Sequence, residues 1–404
     1  MSSAASPHRR FPITTRGTLL LHLDLLVTGI VMTFLGPMLP ILSVRWGLND
    51  ERAGYLSFSQ FLSSMFGMLL SGVLVGRVGY RTTFIIGLVT MASGVTLLAS
   101  GPWHLGIVAV CIFGFGHGIT TPAANLRTAE INPQGSASAL NVINAVWGIG
   151  AMIAPFLVAL AQRSHRADLF LYGTAAALML LLVPFLFVHF VPDVRTETGS
   201  QPHMRKAWTA NTLVLICALF FVYVGTETSF GVWLASYAKR LNSSSRSLWA
   251  VTPAFFWGAL LAGRFLAPLG LKFYRETTVA KLGLSLAVTG GLMIMWARGM
   301  GTLIPGSILA GLGLASIFPI SVSLFPQWFG ESERNASSAV FASGNTGGAV
   351  VPWAVGMLST HTGSLRLALV VPLLGAASML IFYVAQGARE RIPAALSGPA
   401  NRSA

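Results

Sequence analysis

Apolar runs of about 20 residues recur from one end of the chain to the other, separated by short stretches of charged residues, Gly and Pro. A helix rises about 1.5 Å per residue, so each run is long enough to cross the roughly 30 Å hydrocarbon layer of a bilayer. The windows predict helices over residues 17–42, 52–76, 82–100, 104–129, 136–161 and 168–191. A second set follows over 208–237, 247–270, 277–297, 302–328, 334–358 and 364–387. Between the sets lies a polar stretch from Pro192 to Lys206, with Asp193, Arg195, Glu197, Gln201 and Arg205. The pattern predicts an all-α membrane protein with twelve transmembrane helices in two pseudo-symmetric six-helix bundles. The first bundle is expected over 1–191, a cytoplasmic linker over 192–207, and the second bundle with a short tail over 208–404.

Sliding one half along the other reveals a repeat. One constant offset places Gly114 on Gly311, Gly116 on Gly313, Pro122 on Pro319, Gly150 on Gly347 and Pro155 on Pro352. At a slightly different offset, Gly67-Met-Leu-Leu-Ser-Gly72 matches Gly258-Ala-Leu-Leu-Ala-Gly263. Small residues let helix backbones approach closely, and Pro or Gly breaks let helices bend. A parallel six-plus-six repeat implies a solute site near the midplane, between two halves that rock to expose it alternately.

Composition agrees with the pattern. Hydrophobic residues make up 54% of the chain and charged ones 9%, against about a quarter charged in soluble domains. The net charge of +14 does not point to nucleic acid, because the Lys and Arg residues sit in short loops between apolar runs. Counting alternate loops gathers them on one side, including Arg9, Arg10, Arg16, Arg77, Arg81, Arg205, Lys206, Lys272, Arg275, Lys281, Arg389 and Arg391. The positive-inside rule then puts both termini in the cytoplasm. Cys111 and Cys217 both lie in apolar runs, so no disulfide framework is expected. The first run is too long for a cleaved signal and contains Asp24, so it is expected to be retained.

Two acids stand inside apolar runs, Asp24 and Glu227. An ionised acid at a helix centre costs about 2.5–3.5 kcal/mol on the insertion scale, so it faces a cavity, pairs, or takes up a proton. Protonation can then be coupled to the side on which the cavity opens. One charge moved through the membrane potential is worth about 2.3 kcal/mol per 100 mV, enough to drive accumulation. Neutral hydrogen-bonding residues form a second group at mid-helix: Gln60, His117, Asn125, Asn141, Asn144 and Asn345. Aromatic Trp147, Tyr223, Trp233, Tyr237 and Trp257 accompany them. Amides offer donors and acceptors, and aromatic faces cover C–H surface, which is the mixture a polyhydroxylated solute such as a sugar requires. Asn144 and Trp147, three residues apart, share one helical face and are the leading pair.

The chain contains no P-loop signature, metal-ligand cluster or nucleophile motif, so an ion gradient is the expected energy source and no cofactor is implied. An enzyme is excluded for want of a catalytic constellation. The competing transport function is a proton-coupled exporter of amphipathic drugs or metabolites, in which the acids would recognise a cation and the aromatics line a greasy pocket.

With these residues in view, the chain resembles the major facilitator superfamily, and within it the fucose permease family of cation-coupled sugar symporters. The resemblance rests on Tyr223-Val-Gly-Thr-Glu227-Thr, Pro122-Ala-Ala-Asn125, Leu140-Asn141 through Asn144 to Gly150-Ala151, Gly263-Arg264-Phe265, and Gly347-Gly348 through Pro352 to Gly356. It implies a monomer in a bacterial inner membrane that takes up a hexose with protons, or in some relatives sodium. Asp24 matches the family's first-helix aspartate used in proton coupling, and Asn144 sits where the family has an amide contacting sugar. Thr121 and Pro122 stand where fucose permease has a glutamate, and Glu227 stands where it has a glutamine and glucose-type relatives have glutamate. Gly72, Arg77, Gly79 and Arg81 resemble the superfamily's gating motif, with Arg264 a further gating candidate. Gly76 replaces the motif's aspartate, so its salt bridge is not expected.

Overall fold

In hydrocarbon every backbone amide must find a partner within the protein, and helices meet that demand segment by segment. The computed structural model describes residues 15–188, 210–241, 248–323 and 333–396. The predicted linker at 192–207 lies outside the described residues, as do Arg9, Arg10, Arg205 and Lys206. The first half comprises α1 (Thr15–Thr33), α2 (Leu35–Trp46), α3 (Asp50–Ser100), α4 (Trp103–Ile131), α5 (Ser136–Arg163) and α6 (Ala167–Phe187). The second comprises α7 (Ala210–Leu241), α8 (Leu248–Leu271), α9 (Glu276–Met295), α10 (Met300–Leu314), α11 (Ile317–Ser323), α12 (Glu333–Thr362), α13 (Leu365–Ala368) and α14 (Val370–Leu396).

Ten runs are long and apolar enough to cross a bilayer. One of them, α3, has 51 residues with a non-helical Gly79 at φ 79° inside it. A straight helix of that length would measure about 75 Å, more than twice the hydrocarbon layer. Instead Gly67 and Gly87, on either side of Gly79, both abut the same stretch of α4 around Phe115 to Thr120. The chain therefore folds back at Gly79, and α3 makes two crossings, matching the predicted break between 76 and 82. The 30-residue α12 is also long enough to cross, though more polar. With it the count among the described residues reaches twelve.

The repeat is visible as matched helix crossings. A side chain at Gly114 would strike the Gln60 carbonyl of α3, and one at Gly311 the Phe256 carbonyl of α8. Gly116 faces the Gly87 carbonyl, just as Gly313 faces that of Gly283. Gly150 rests on the Leu26 carbonyl of α1, and Gly347 on the Phe221 carbonyl of α7. Each pair of glycines therefore permits the same close crossing in its own half. The match proposed between Gly67–Gly72 and Gly258–Gly263 is corrected. Gly67 lies on Phe115 and Gly118 of α4, and its counterpart on α10, at Leu312 and Ala315, is Gly263. Gly258 instead meets Met152 of α5, and Gly72 meets nothing within 4 Å. Sequence spacing alone had matched two glycine pairs that make different crossings.

Alternate crossings carry the start of α1, the end of α6 and the start of α7 to one face, here the termini face. The opposite, distal face holds the ends of α2, α7 and α12 and the starts of α3, α8 and α13. The halves meet through α3 with α12, α5 with α8, and α2 with α7.

Candidate functional site between the halves

Contacts across the halves run from mid-depth to the distal face. Along α3 and α12, Gly54 packs on Trp353, Phe61 on Gly348, and Thr346 donates to Met65 Sδ at 3.6 Å. Nearer the termini face the two helices part around a cavity of about 360 Å³, lined by Met65, Met68, Leu69, Pro122, Leu126 and Phe341 among others. Asn345 stands at the top of this gap, partly buried, with Nδ2 donating to the Phe341 carbonyl at 3.0 Å and lying 3.9 Å from Met68 Sδ.

α5 and α8 also meet across the halves. Trp147 and Trp257, one from each half, meet edge to face with ring centroids 6.1 Å apart. Gly148 and Met152 face Leu261 and Gly258 of α8. Asn144 and Asn141 continue that stripe toward the termini face, and both are exposed. Asn144 Nδ2 donates to Asn125 Oδ1 at 3.1 Å and to the Leu140 carbonyl at 2.8 Å. The predicted trio of Asn144, Trp147 and Asn125 is thus brought to one wall.

The facing wall is built by α7 and α8. Arg264 Nη2 lies 3.5 Å from Glu227 Oε1 in an ion pair whose side chains are 26% and 10% exposed. Gly231, one turn beyond Glu227, admits the ring of Trp257, so the indoles close the space above the pair. Tyr223, buried one turn on the other side, stands beside both charges, and the Phe318 ring lies 5.9 Å from the Arg264 guanidinium. Among the described residues two buried nitrogens on this wall, Arg264 Nε and Trp257 Nε1, have no hydrogen-bond partner. Such groups cost about 1–3 kcal/mol each when left unpaired, so this wall has hydrogen-bonding capacity to offer.

Asp24 is placed differently. It lies on a stripe of α1 with Leu20, Thr28 and Val31 that is buried throughout, is itself 0% exposed, and among the described residues neither carboxylate oxygen has a partner.

Several predicted residues are turned to helix packing. Gln60 Nε2 donates to the Met32 carbonyl at 2.9 Å, tying α3 to α1. His117 has both ring nitrogens engaged, Nδ1 with Ser64 and Nε2 with Thr121, each at 3.2 Å. Trp233 is fully buried and donates to the Pro352 carbonyl at 2.8 Å, and Tyr237 accepts from Arg366 at 3.2 Å. Ser64 and Arg366 were not singled out in the sequence, because a hydroxyl or guanidinium near a helix gives no sign of its partner. In the gating loop, Gly76, Arg77 and Arg81 are exposed, and among the described residues neither arginine forms an ion pair. The α3 hairpin is tied down instead by the Tyr80 hydroxyl, which donates to Glu130 at 2.6 Å beside the 3.1 Å Arg127–Glu130 ion pair. Among the described residues no three His, Cys, Asp or Glu side chains gather to hold a metal.

Two repeated six-helix halves, joined at one face and parted at the other, have the architecture of a membrane transporter. The chain belongs to the Major Facilitator Superfamily, whose family profile matches residues 25–253. It is 26% identical over 357 residues to the glucose/galactose transporter of Brucella abortus, covering 83% of this chain and 86% of that protein. It is also 26% identical over 343 residues to the multidrug efflux protein YfmO of Bacillus subtilis, covering 82% and 84%. Among solved structures it resembles the E. coli fucose:proton symporter FucP, with a TM-score of 0.61 and 18% identity over 91% of this chain and 97% of that one. The inward-open E. coli xylose transporter XylE aligns with a TM-score of 0.71 and 13% identity over 91% and 95%.

Proposed function

We propose that this chain is a secondary active transporter that moves a hexose or related neutral sugar together with a cation, a proton or in its place sodium, by alternating access. The reading is carried by the two walls that face each other below the Trp147–Trp257 pair. One offers the Asn144–Asn125 amides. The other offers two unpartnered donors, at Arg264 and Trp257, with the Tyr223 hydroxyl beside the Glu227 carboxylate. A polyhydroxylated solute supplies an acceptor and a donor with every hydroxyl, and its C–H face fits against indole. Because Arg264 neutralises Glu227 within the same half, the wall carries no net charge and suits a neutral solute. The names of the Brucella transporter and of FucP support a sugar as cargo.

Cation coupling falls to Asp24. A carboxylate enclosed without a hydrogen bond or counter-charge is tolerated only as the neutral acid. In the conformation described here Asp24 therefore carries a proton, and a tilt of α1 that wets it would release that proton. Glu227, a coupling candidate by sequence, keeps its counter-charge and acts as a hydroxyl acceptor. Both termini are placed in the cytoplasm of a bacterial inner membrane, which makes the open face the inner one, and the working unit is the monomer.

The cavity lined by Met65, Met68, Leu69 and Phe341 favours a second reading, export of amphipathic compounds, in keeping with the likeness to YfmO. Uptake of labelled hexoses into proteoliposomes under an imposed proton or sodium gradient separates the two. Gradient-driven hexose accumulation that an amphipathic cation does not inhibit supports symport. Gradient-driven movement of the cation, with no hexose transported, supports the exporter.

A further inference from the structure

At the distal face two helices of the second half converge on one carboxylate of the first. Asp50 opens α3, just after Asn49, whose side chain caps the helix by accepting from the Arg52 amide at 2.9 Å. Asp50 Oδ1 accepts from Arg240 Nη2 at the end of α7, and Oδ2 accepts from Ser359 Oγ in α12. The neighbouring Glu51 amide donates to Thr360 Oγ1 at 2.9 Å, and Lys239 Nζ donates to the Pro40 carbonyl at 3.2 Å. Gly356 sits directly on the Asp50 carbonyl, so that no larger residue fits without a backbone shift.

We propose that Asp50 is the bolt of a distal gate, which holds the two halves together by gripping Arg240 and Ser359 and must let go before that face can open. The contacts of Asp50, Glu51, Lys239 and Gly356 join one half to the other, so rocking breaks them. The Glu227–Arg264 pair lies within one half and survives the motion. The arrangement is also suited to release. When the halves part, Asp50 stays at the amino-terminal end of α3, where the helix dipole favours a negative charge. Arg240, already 46% exposed, passes into water. Neither partner is stranded in oil, so the gate can reopen on every cycle without leaving a buried charge unpaired.

The test uses the full chain with Cys111→Ser, Cys217→Ser and Phe58→Cys, reconstituted in lipid nanodiscs without solute. The Phe58 ring lies beneath the gate, with its centroid 6.1 Å from that of Trp353 in the other half. A charged maleimide reports access to Cys at that position. Coupling energies of this kind correspond to 5–150-fold shifts in population, so Asp50→Asn and Arg240→Gln should each speed labelling about tenfold. The double variant should be no faster than Asp50→Asn alone. If Asp50→Asn acts and Arg240→Gln does not, Asp50 merely supports its own helix and the gate is overturned. Unchanged labelling in both overturns it equally. Ser359→Ala, which removes one hydroxyl, should speed labelling about threefold, and it decides the matter if the charge variants fail to fold, since no change would refute the proposal. With no solute in the assay, a failed gate leaves the sugar reading standing, and a failed sugar reading leaves the gate.

Discussion

Replacing Arg264 by Met leaves the Glu227 carboxylate in the interior of the second half without its counter-charge. Breaking a buried pair from one side costs about 3–5 kcal/mol, because the remaining charge is uncompensated. Here the Arg264 side chain is 26% exposed and the pair is 3.5 Å apart, so water recovers part of that cost. An effect of about 2–3 kcal/mol is expected for Arg264→Met. For a chain of this size 1 kcal/mol corresponds to roughly 1–2 °C in Tm, so the variant should melt about 3–5 °C lower. Glu227→Gln alone leaves a guanidinium on a side chain that is 26% exposed, against 10% for Glu227, and should cost less. The double variant Glu227→Gln/Arg264→Met should recover most of the lost stability, since both charges are gone. The assay is thermal unfolding of the four proteins in one detergent at one scan rate, read as a double-mutant cycle. Simple addition of the two single effects would refute the pairing, and with it the argument that the wall is neutral.

Asn144→Ala should weaken hexose binding about tenfold while leaving expression and Tm unchanged, which equilibrium binding to purified protein checks. Gly150→Ala should lower Tm by a few degrees, because its side chain would strike the Leu26 carbonyl, at a cost of about 1–3 kcal/mol. Gly173→Ala, with open space around it, should raise Tm slightly through helix propensity, by about 0.5–1 kcal/mol. Equal effects at the two glycines would contradict the crossings described above.

The fold was legible because a bilayer demands long apolar runs, and because close helix crossings demand small residues at matched depths. Gly114, Gly116 and Gly150 could be paired with their counterparts without any coordinates. The facing of each helix was not legible. Lipid and protein core are equally apolar, so a crossing helix shows little amphipathic bias to reveal its inner side. Gln60, His117 and Trp233 consequently looked like chamber residues although their polar atoms are engaged by neighbouring helices. Asn144 and Trp147 could be joined because three residues along one helix share a face whatever its rotation. The pairing of Glu227 with Arg264 crosses two helices and had no local trace. Asp50 and Arg240 were not singled out, since nothing in the sequence shows that their ends meet.

The central claim is that solute and cation move together through Asp24. Proteoliposomes holding purified protein, with no gradient imposed, should take up protons when a transported hexose is added outside, or labelled sodium if that is the coupled ion. Asp24→Asn should abolish the cation movement while hexose exchange continues. Cation uptake by Asp24→Asn at the wild-type rate, or hexose entry into wild-type vesicles with no accompanying cation, would contradict the account.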